Sequence, residues 1–139
     1  MTEMTKVTFT ARRINRIEDI TDMVDTLFPG NRNQQHAAAR ILMALKASDK
    51  LLRSLSFLED RYNISRRTLQ RTRAKLSRLG LIERISWMNT RYNGQQGWKL
   101  SSRTSTALRQ LADKIDQWRK DKRPSRIEKD DTLVDLLGN

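Results

Sequence analysis

Between Ile64 and Ile85 the spacing of apolar side chains changes from three-and-four to two, and a single glycine, Gly80, stands at the changeover. In "ISRRTLQRTRAKLSRLGLIERI" the leucines at 69, 76 and 79 recur at helical spacing, whereas "LIERISWM" alternates as a half-buried strand does. Gly80 is thus the expected stop of a helix that a strand follows. The helix 66–79 also carries five arginines and a lysine, with no acid between Ser65 and Ile82. Exposed helix faces are often rich in Lys and Arg, so one such residue says little. The cluster says more: like charges a turn apart cost about a few tenths of a kcal/mol each, a cost that a polyanion offsets.

The flanking segments extend the pattern. Ile14, Ile17, Ile20, Val24 and Leu27 predict an amphipathic helix over 14–28, ended by "FPGN". Asn33 is the expected N-cap of a second helix reaching about Ala47, with Ala37, Ala38, Ile41, Leu42 and Leu45 inward. Lys50 to Arg53 reads as a brief extended stretch. A short helix from Ser54 or Ser56 follows, Ser56 and Glu59 having capping-box spacing, with Phe57, Leu58 and Tyr62 inward. "YNIS" is then a tight inter-helix turn: Asn63 tolerates the left-handed conformation, and Ser65 can accept from the free amides of the next helix. After the strand, "NTRYNGQQG" contains the Asn93-Gly94 pair of hairpin loops, and "WKLS" supplies the return strand. Leu108, Leu111, Ile115 and Trp118 mark a last helix, closed by "KDKRPSR". The acidic end, "IEKDDTLVDLLGN", reads as a mobile tail or a short docking segment.

Charge follows the same divisions. The 139 residues carry a net charge of +12, and residues 33–101 hold fourteen Lys/Arg against four Asp/Glu. Residues 102–123 hold seven against three, 1–32 balance at five each, and 124–139 hold two against four. A polyanion is the expected partner of the middle segment. The absence of cysteine excludes disulfides, thiolate zinc sites and a thiol nucleophile. His36, the one histidine, sits in a helical pattern and reads as a surface or interface residue. Asp22 with Asp25, and Asp113 with Asp116, have the spacing of paired carboxylates, but no nucleophile, histidine or third ligand accompanies them. With no Gly-rich phosphate loop either, neither an enzyme nor a metal or cofactor site is expected. No apolar run approaches the length of a bilayer span, and the N-terminus lacks the apolar core of a signal peptide, so a cytoplasmic protein is expected.

The order helix, short strand, helix, turn, helix, hairpin, helix resembles the winged helix-turn-helix of MarR- and PadR-like transcription regulators. The resemblance covers residues 54–112. It rests on "ISRRTLQRTRAKLSRLGLIER", with Ile-Ser, a Thr-apolar pair, two core leucines and Gly-Leu-Ile, and on "WKLSSRTSTALRQL", an aromatic-x-Leu-Ser exit into a C-terminal helix. It implies a mainly α fold with a small β-hairpin (α+β) and flanking N- and C-terminal helices. The parts are an arm and helix (1–32), a DNA-binding domain (33–101), a dimerisation helix (102–123) and a tail (124–139).

It also implies a docking geometry, with helix 66–79 in the major groove of double-stranded DNA and the wing, 88–98, on the backbone or an adjacent minor groove. Arg66, Arg67, Gln70 and Arg71 then face base edges, with Ser65 and Thr68 at the helix start; Arg suits guanine and Gln suits adenine. Lys75 and Arg78 suit phosphates, as do Ser54 and Ser56 at the preceding helix start. Arg91 and Tyr92, with Gln95, Gln96 and Lys99 behind them, belong to the wing. Trp87 and Trp98 are expected to pack on the helices beneath rather than offer stacking platforms.

Arg73 departs from the pattern, which has an apolar residue three before Leu76. Either its stem lies along the core and it pairs with Glu59 or Asp60, or the helix is rotated so that Thr72 faces inward. The resemblance further implies a nucleoid-associated homodimer, joined through helices 14–28 and 104–122. The same fold also serves plasmid, viral or chromosomal architectural and segregation proteins, and RNA-binding winged helices; these readings stay open.

Overall fold

The computed structural model describes residues 10–86 and 90–138, so Trp87 and the first part of the expected wing lie outside the described residues. Among the described residues the chain is mainly helical, with one antiparallel hairpin, and it divides after Arg103 into two compact units.

The first unit is built around α3 (Arg32–Ala47), which packs against α2 (Ile20–Leu27), α5 (Arg66–Leu79) and β2 (Gly97–Leu100). Ala37, Ala38, Ile41, Leu42 and Leu45 are buried on α3, as the sequence pattern predicts. Its cap is Asn31 rather than Asn33. Asn31 keeps an extended backbone after Pro29-Gly30 and accepts from the Gln34 N–H at 3.0 Å, so the helix begins two residues early.

The expected helix over 14–28 is two helices, α1 (Ala11–Asn15) and α2. Asp19 causes the break. Its extended backbone and carboxylate, which accepts from the Asp22 N–H and the Thr21 hydroxyl, form a cap and not a helix interior. Those bonds hold the Asp19 carboxyl below its ordinary range, the Thr21 hydroxyl contributing most. Ile14 stays exposed, whereas Val24 and Phe28 are buried and Ile20, Met23 and Leu27 pack against the core. Of the expected stripe, Val24 is thus buried and Ile20 and Leu27 are partly buried against the core, while Ile14 is exposed.

Leu52 in the 50–53 stretch forms an isolated bridge to Trp98, giving the brief extended segment expected there. The capping box at Ser56 is not formed. Ser56 already has helical φ and ψ, and the Ser54 hydroxyl accepts from its N–H at 3.1 Å instead. From α4 (Phe57–Tyr62) the chain turns through Asn63, at φ 54°, and the Ile64 N–H returns to the Glu59 carbonyl at 3.0 Å. Ile64 is buried, and the Ser65 hydroxyl caps α5 by accepting from the Thr68 N–H. At the far end, Gly80 takes the left-handed conformation at φ 81°, and the Leu81 N–H bonds the Leu76 carbonyl.

The hairpin pairs β1 (Ile82–Ile85) with β2 in the register Ile82↔Leu100, Glu83↔Lys99, Arg84↔Trp98 and Ile85↔Gly97. Its loop ends in a turn in which the Gln95 N–H bonds the Tyr92 carbonyl, with Asn93 and Gly94 both at positive φ. Only such residues take that mirror-image turn without strain.

The second unit consists of α6 (Arg103–Lys120) and α7 (Pro124–Leu137). The segment expected to be a mobile tail is thus a helix. Pro124 at its first turn presets the backbone angle, and Arg126 and Asp130 lie a turn apart at 3.3 Å. The Trp118 indole N–H donates to Asp130 at 3.1 Å, tying α6 to α7. Between them Asp121 takes a two-pronged bond from Arg123, which lowers its carboxyl to about 2. Neither helix has a buried residue.

Candidate nucleic-acid interface

At 100° per residue, Arg66, Gln70, Ala74, Arg67, Arg78 and Arg71 share the side of α5 opposite its buried Leu69, Thr72 and Leu76, and all six are exposed. Arg66 and Arg78 are separated by roughly 18 Å of helix, at about 1.5 Å per residue. No hydrogen bond or ion pair engages the side chains of Arg66, Arg67, Gln70 or Arg71 among the described residues. Cations left without partners on one surface repel one another, and this repulsion is relieved when an anion arrives. Ala74, near the middle of the face, gives it a low centre over which a ligand can come close. Its helical spacing, four after Gln70, could have marked it in the sequence.

The other expected contacts divide. Ser65 and Thr68 are committed to the helix start, the Ser65 hydroxyl donating to Thr68 Oγ1 at 2.8 Å while capping the Thr68 amide. Lys75 turns away from the face. Its ammonium donates to the Leu27 carbonyl at the end of α2 and lies 4.4 Å from the Phe28 ring centroid. Burial there, with the Arg78 charge nearby, lowers its pKa. Lys75 thus serves the α2–α5 junction, because position 75 is on the flank of α5 that meets α2.

On the hairpin, Arg91 is exposed, while Lys99 and Tyr92 pair with each other. The Lys99 ammonium donates to the Tyr92 hydroxyl at 2.9 Å, which raises the lysine pKa, and it also approaches Glu83 at 3.9 Å. Gln95 is exposed and Gln96 half-buried. Ser54 and Ser56 are exposed with their hydroxyls 2.9 Å apart, so each partly satisfies the other.

Of the alternatives for Arg73, the rotated helix is the one found. Thr72 is fully buried, its hydroxyl without a partner among the described residues, and Arg73 lies over Trp98 instead of pairing with Glu59 or Asp60. Trp98 packs half-buried against the core, as expected.

Other sites carry less chemistry. His36 is exposed on α3, edge-on to the Tyr62 ring, and accepts from Arg40 at 3.5 Å. Asp25 is held by Arg13 at 2.5 Å and by Gln35, and Asp22 by the Glu18 N–H. Among the described residues no group of three His, Cys, Asp or Glu side chains could hold a metal ion. No helix among them is long and apolar enough to cross a membrane. Comparison with family models, with curated proteins and with solved structures finds no match to this chain.

Proposed function

We propose that the chain is a winged helix-turn-helix protein that binds double-stranded DNA and regulates transcription, with α5 in the major groove and the hairpin against the backbone or an adjacent minor groove. One observation carries this reading: α5 presents Arg66, Arg67, Gln70 and Arg71 on one exposed face, unpaired and with no acid on the helix. Bidentate arginine and glutamine are the side chains that read guanine and adenine edges, and a helix fits the groove that displays them. The turn through Asn63 and the hairpin after Gly80 support the same arrangement.

The test is a mobility shift on duplex DNA with RNA as competitor, followed by footprinting on the gene's own upstream region. A discrete footprint is expected. Arg71→Ala should weaken binding to that site by about 1–3 kcal/mol and affect random duplex less. Equal losses on both would place Arg71 on phosphate, a footprint spreading along the DNA would favour an architectural protein, and preference for RNA would end the proposal.

The same reading includes a homodimer, with its contact on α6 and α7. Leu108, Leu111, Ile115, Trp118, Ile127, Leu133, Val134, Leu136 and Leu137 are all exposed there, Trp118 by 63%. A helical pair with no buried residue needs a further surface to cover it. Charge favours a second copy. α6 carries five cations against two acids and α7 two against four, so a two-fold pairing that lays α6 of one copy on α7 of the other brings unlike charges together. Sedimentation at micromolar concentration should give a dimer, and Leu133→Asp with Leu136→Asp a monomer. A wild-type monomer would remove the claim.

A further inference from the structure

Arg73 occupies a position that α5 would ordinarily bury, four residues after Leu69 and three before Leu76, both core residues. The rotation that turns Thr72 inward swings Arg73 toward β2. There its guanidinium lies 5.0 Å from the centroid of the Trp98 ring, and no carboxylate pairs with it among the described residues. Trp98 is also held through its own backbone. Its N–H donates to the Leu52 carbonyl at 2.7 Å, and its carbonyl accepts from the Leu52 N–H at 3.1 Å. One residue of the hairpin is therefore held at once by the strand-like stretch before α4 and by a side chain of α5.

A cation above an aromatic face is a directional contact, unlike the apolar packing usual at such a position. Arginine suits it better than lysine, because a planar guanidinium can stack while its stem covers apolar surface. The hairpin has four paired positions among the described residues, so its direction depends in part on what grips it near its loop end, beside Ile85↔Gly97. Arg73 does so at a strand residue, Trp98, whose cross-strand neighbour Arg84 is exposed.

We infer that Arg73 is a positioning residue whose guanidinium, seated on Trp98, sets the direction of the β1–β2 hairpin relative to α5, so that helix and hairpin meet one duplex as a single rigid reader. The clause about the duplex rests on the proposed function; the setting of the hairpin does not.

The experiment takes the full chain, wild type, Arg73→Met and Arg73→Lys, in two measurements. In free protein, residual dipolar couplings of α5 amides and of amides 82–85 and 97–100 are fitted together. Wild type should fit one alignment tensor, Arg73→Met should not, and Arg73→Lys should fall between, with the urea midpoint of the core nearly unchanged. In footprints on duplex DNA, Arg73→Met should lose the backbone protection flanking the major-groove site and keep the guanine N7 protection due to α5, with affinity down roughly tenfold. Should Arg73→Met lower the core midpoint as well, Arg73→Leu, which restores an apolar side chain, keeps the test open and should misalign the hairpin in a stably folded core. A single tensor in Arg73→Met or Arg73→Leu overturns the inference whatever the DNA does. Misalignment in these variants together with no duplex binding by wild type would leave the positioning role standing and remove the proposed function instead.

Discussion

Replacing Phe28 with alanine should lower the stability of the protein by about 3–5 kcal/mol, read as a fall in the urea midpoint at fixed protein concentration. The ring is 1% exposed at the C-terminal end of α2, among the core residues that α2, α3 and α5 share. It also lies under the Lys75 ammonium, which bonds the carbonyl of the preceding residue. Truncation removes the buried area, leaves a cavity and takes away the ring that the half-buried cation sits on. A small protein has a total stability of about 5–15 kcal/mol, so the loss is a large part of it. The result also distinguishes two roles for the N-terminal helix. Were α2 an arm reserved for a partner, Phe28→Ala would shift the sedimentation coefficient and spare the midpoint. A midpoint change of less than about 1 kcal/mol would show that α2 is not part of the core.

How much of this could be seen beforehand depends on how local the cause is. The α4–α5 turn and the end of α5 were legible because Asn63, Ser65 and Gly80 act within three or four residues of themselves, through a left-handed conformation or a cap. The Asn93-Gly94 turn was legible for the same reason. The division of the N-terminal helix at Asp19 was missed although its signal was present. Asp19 with Thr21 and Asp22 is a cap, but Ile14 and Ile17 continue the apolar spacing across it and masked the break. The acidic end reads from its charges as a mobile tail or a short docking segment, and its helix at 124–137 starts on Pro124 and the Arg126–Asp130 pair, which those charges do not bring out.

The candidate site shows the same division. The spacing of Arg66, Arg67, Gln70 and Arg71 defines a face from sequence alone, because a helix repeats whatever packs beside it. What that spacing cannot give is the far end of a long side chain. Lys75 and Arg73 are separated by two residues and carry the same charge, yet one ends on the Leu27 carbonyl and the other on the Trp98 ring. Both destinations are more than twenty residues away in sequence, and long-range packing chose them. Lys99 is intermediate, since the Tyr92 it meets lies on the same hairpin.

The loop end of the hairpin ladder supplies the second large effect. Gly97 has φ 149°, which side-chain-bearing residues rarely adopt, and a Cβ added there would lie 2.7 Å from the Leu52 carbonyl oxygen and 2.8 Å from its carbon. Those are backbone atoms, so no rotamer change can relieve the contact. Gly97→Ala must either change its own backbone conformation, at about 1–3 kcal/mol, or push the Leu52 stretch away. Moving Leu52 breaks its two hydrogen bonds to Trp98, at about 1 kcal/mol each. A loss of about 2 kcal/mol is expected by either route. Hydrogen exchange can tell the routes apart: if Leu52 retreats, the Leu52 and Trp98 amides exchange faster while those of α3 stay protected. A folded Gly97→Ala protein with wild-type midpoint and unchanged exchange at both amides would rule out the close approach. Because Trp98 is also where Arg73 rests, retreat of Leu52 should loosen the hairpin from α5 even with Arg73 intact. The hairpin's direction thus depends on a missing Cβ on one side and a cation on the other, and neither is visible in the alternation that marks β1 and β2 as strands.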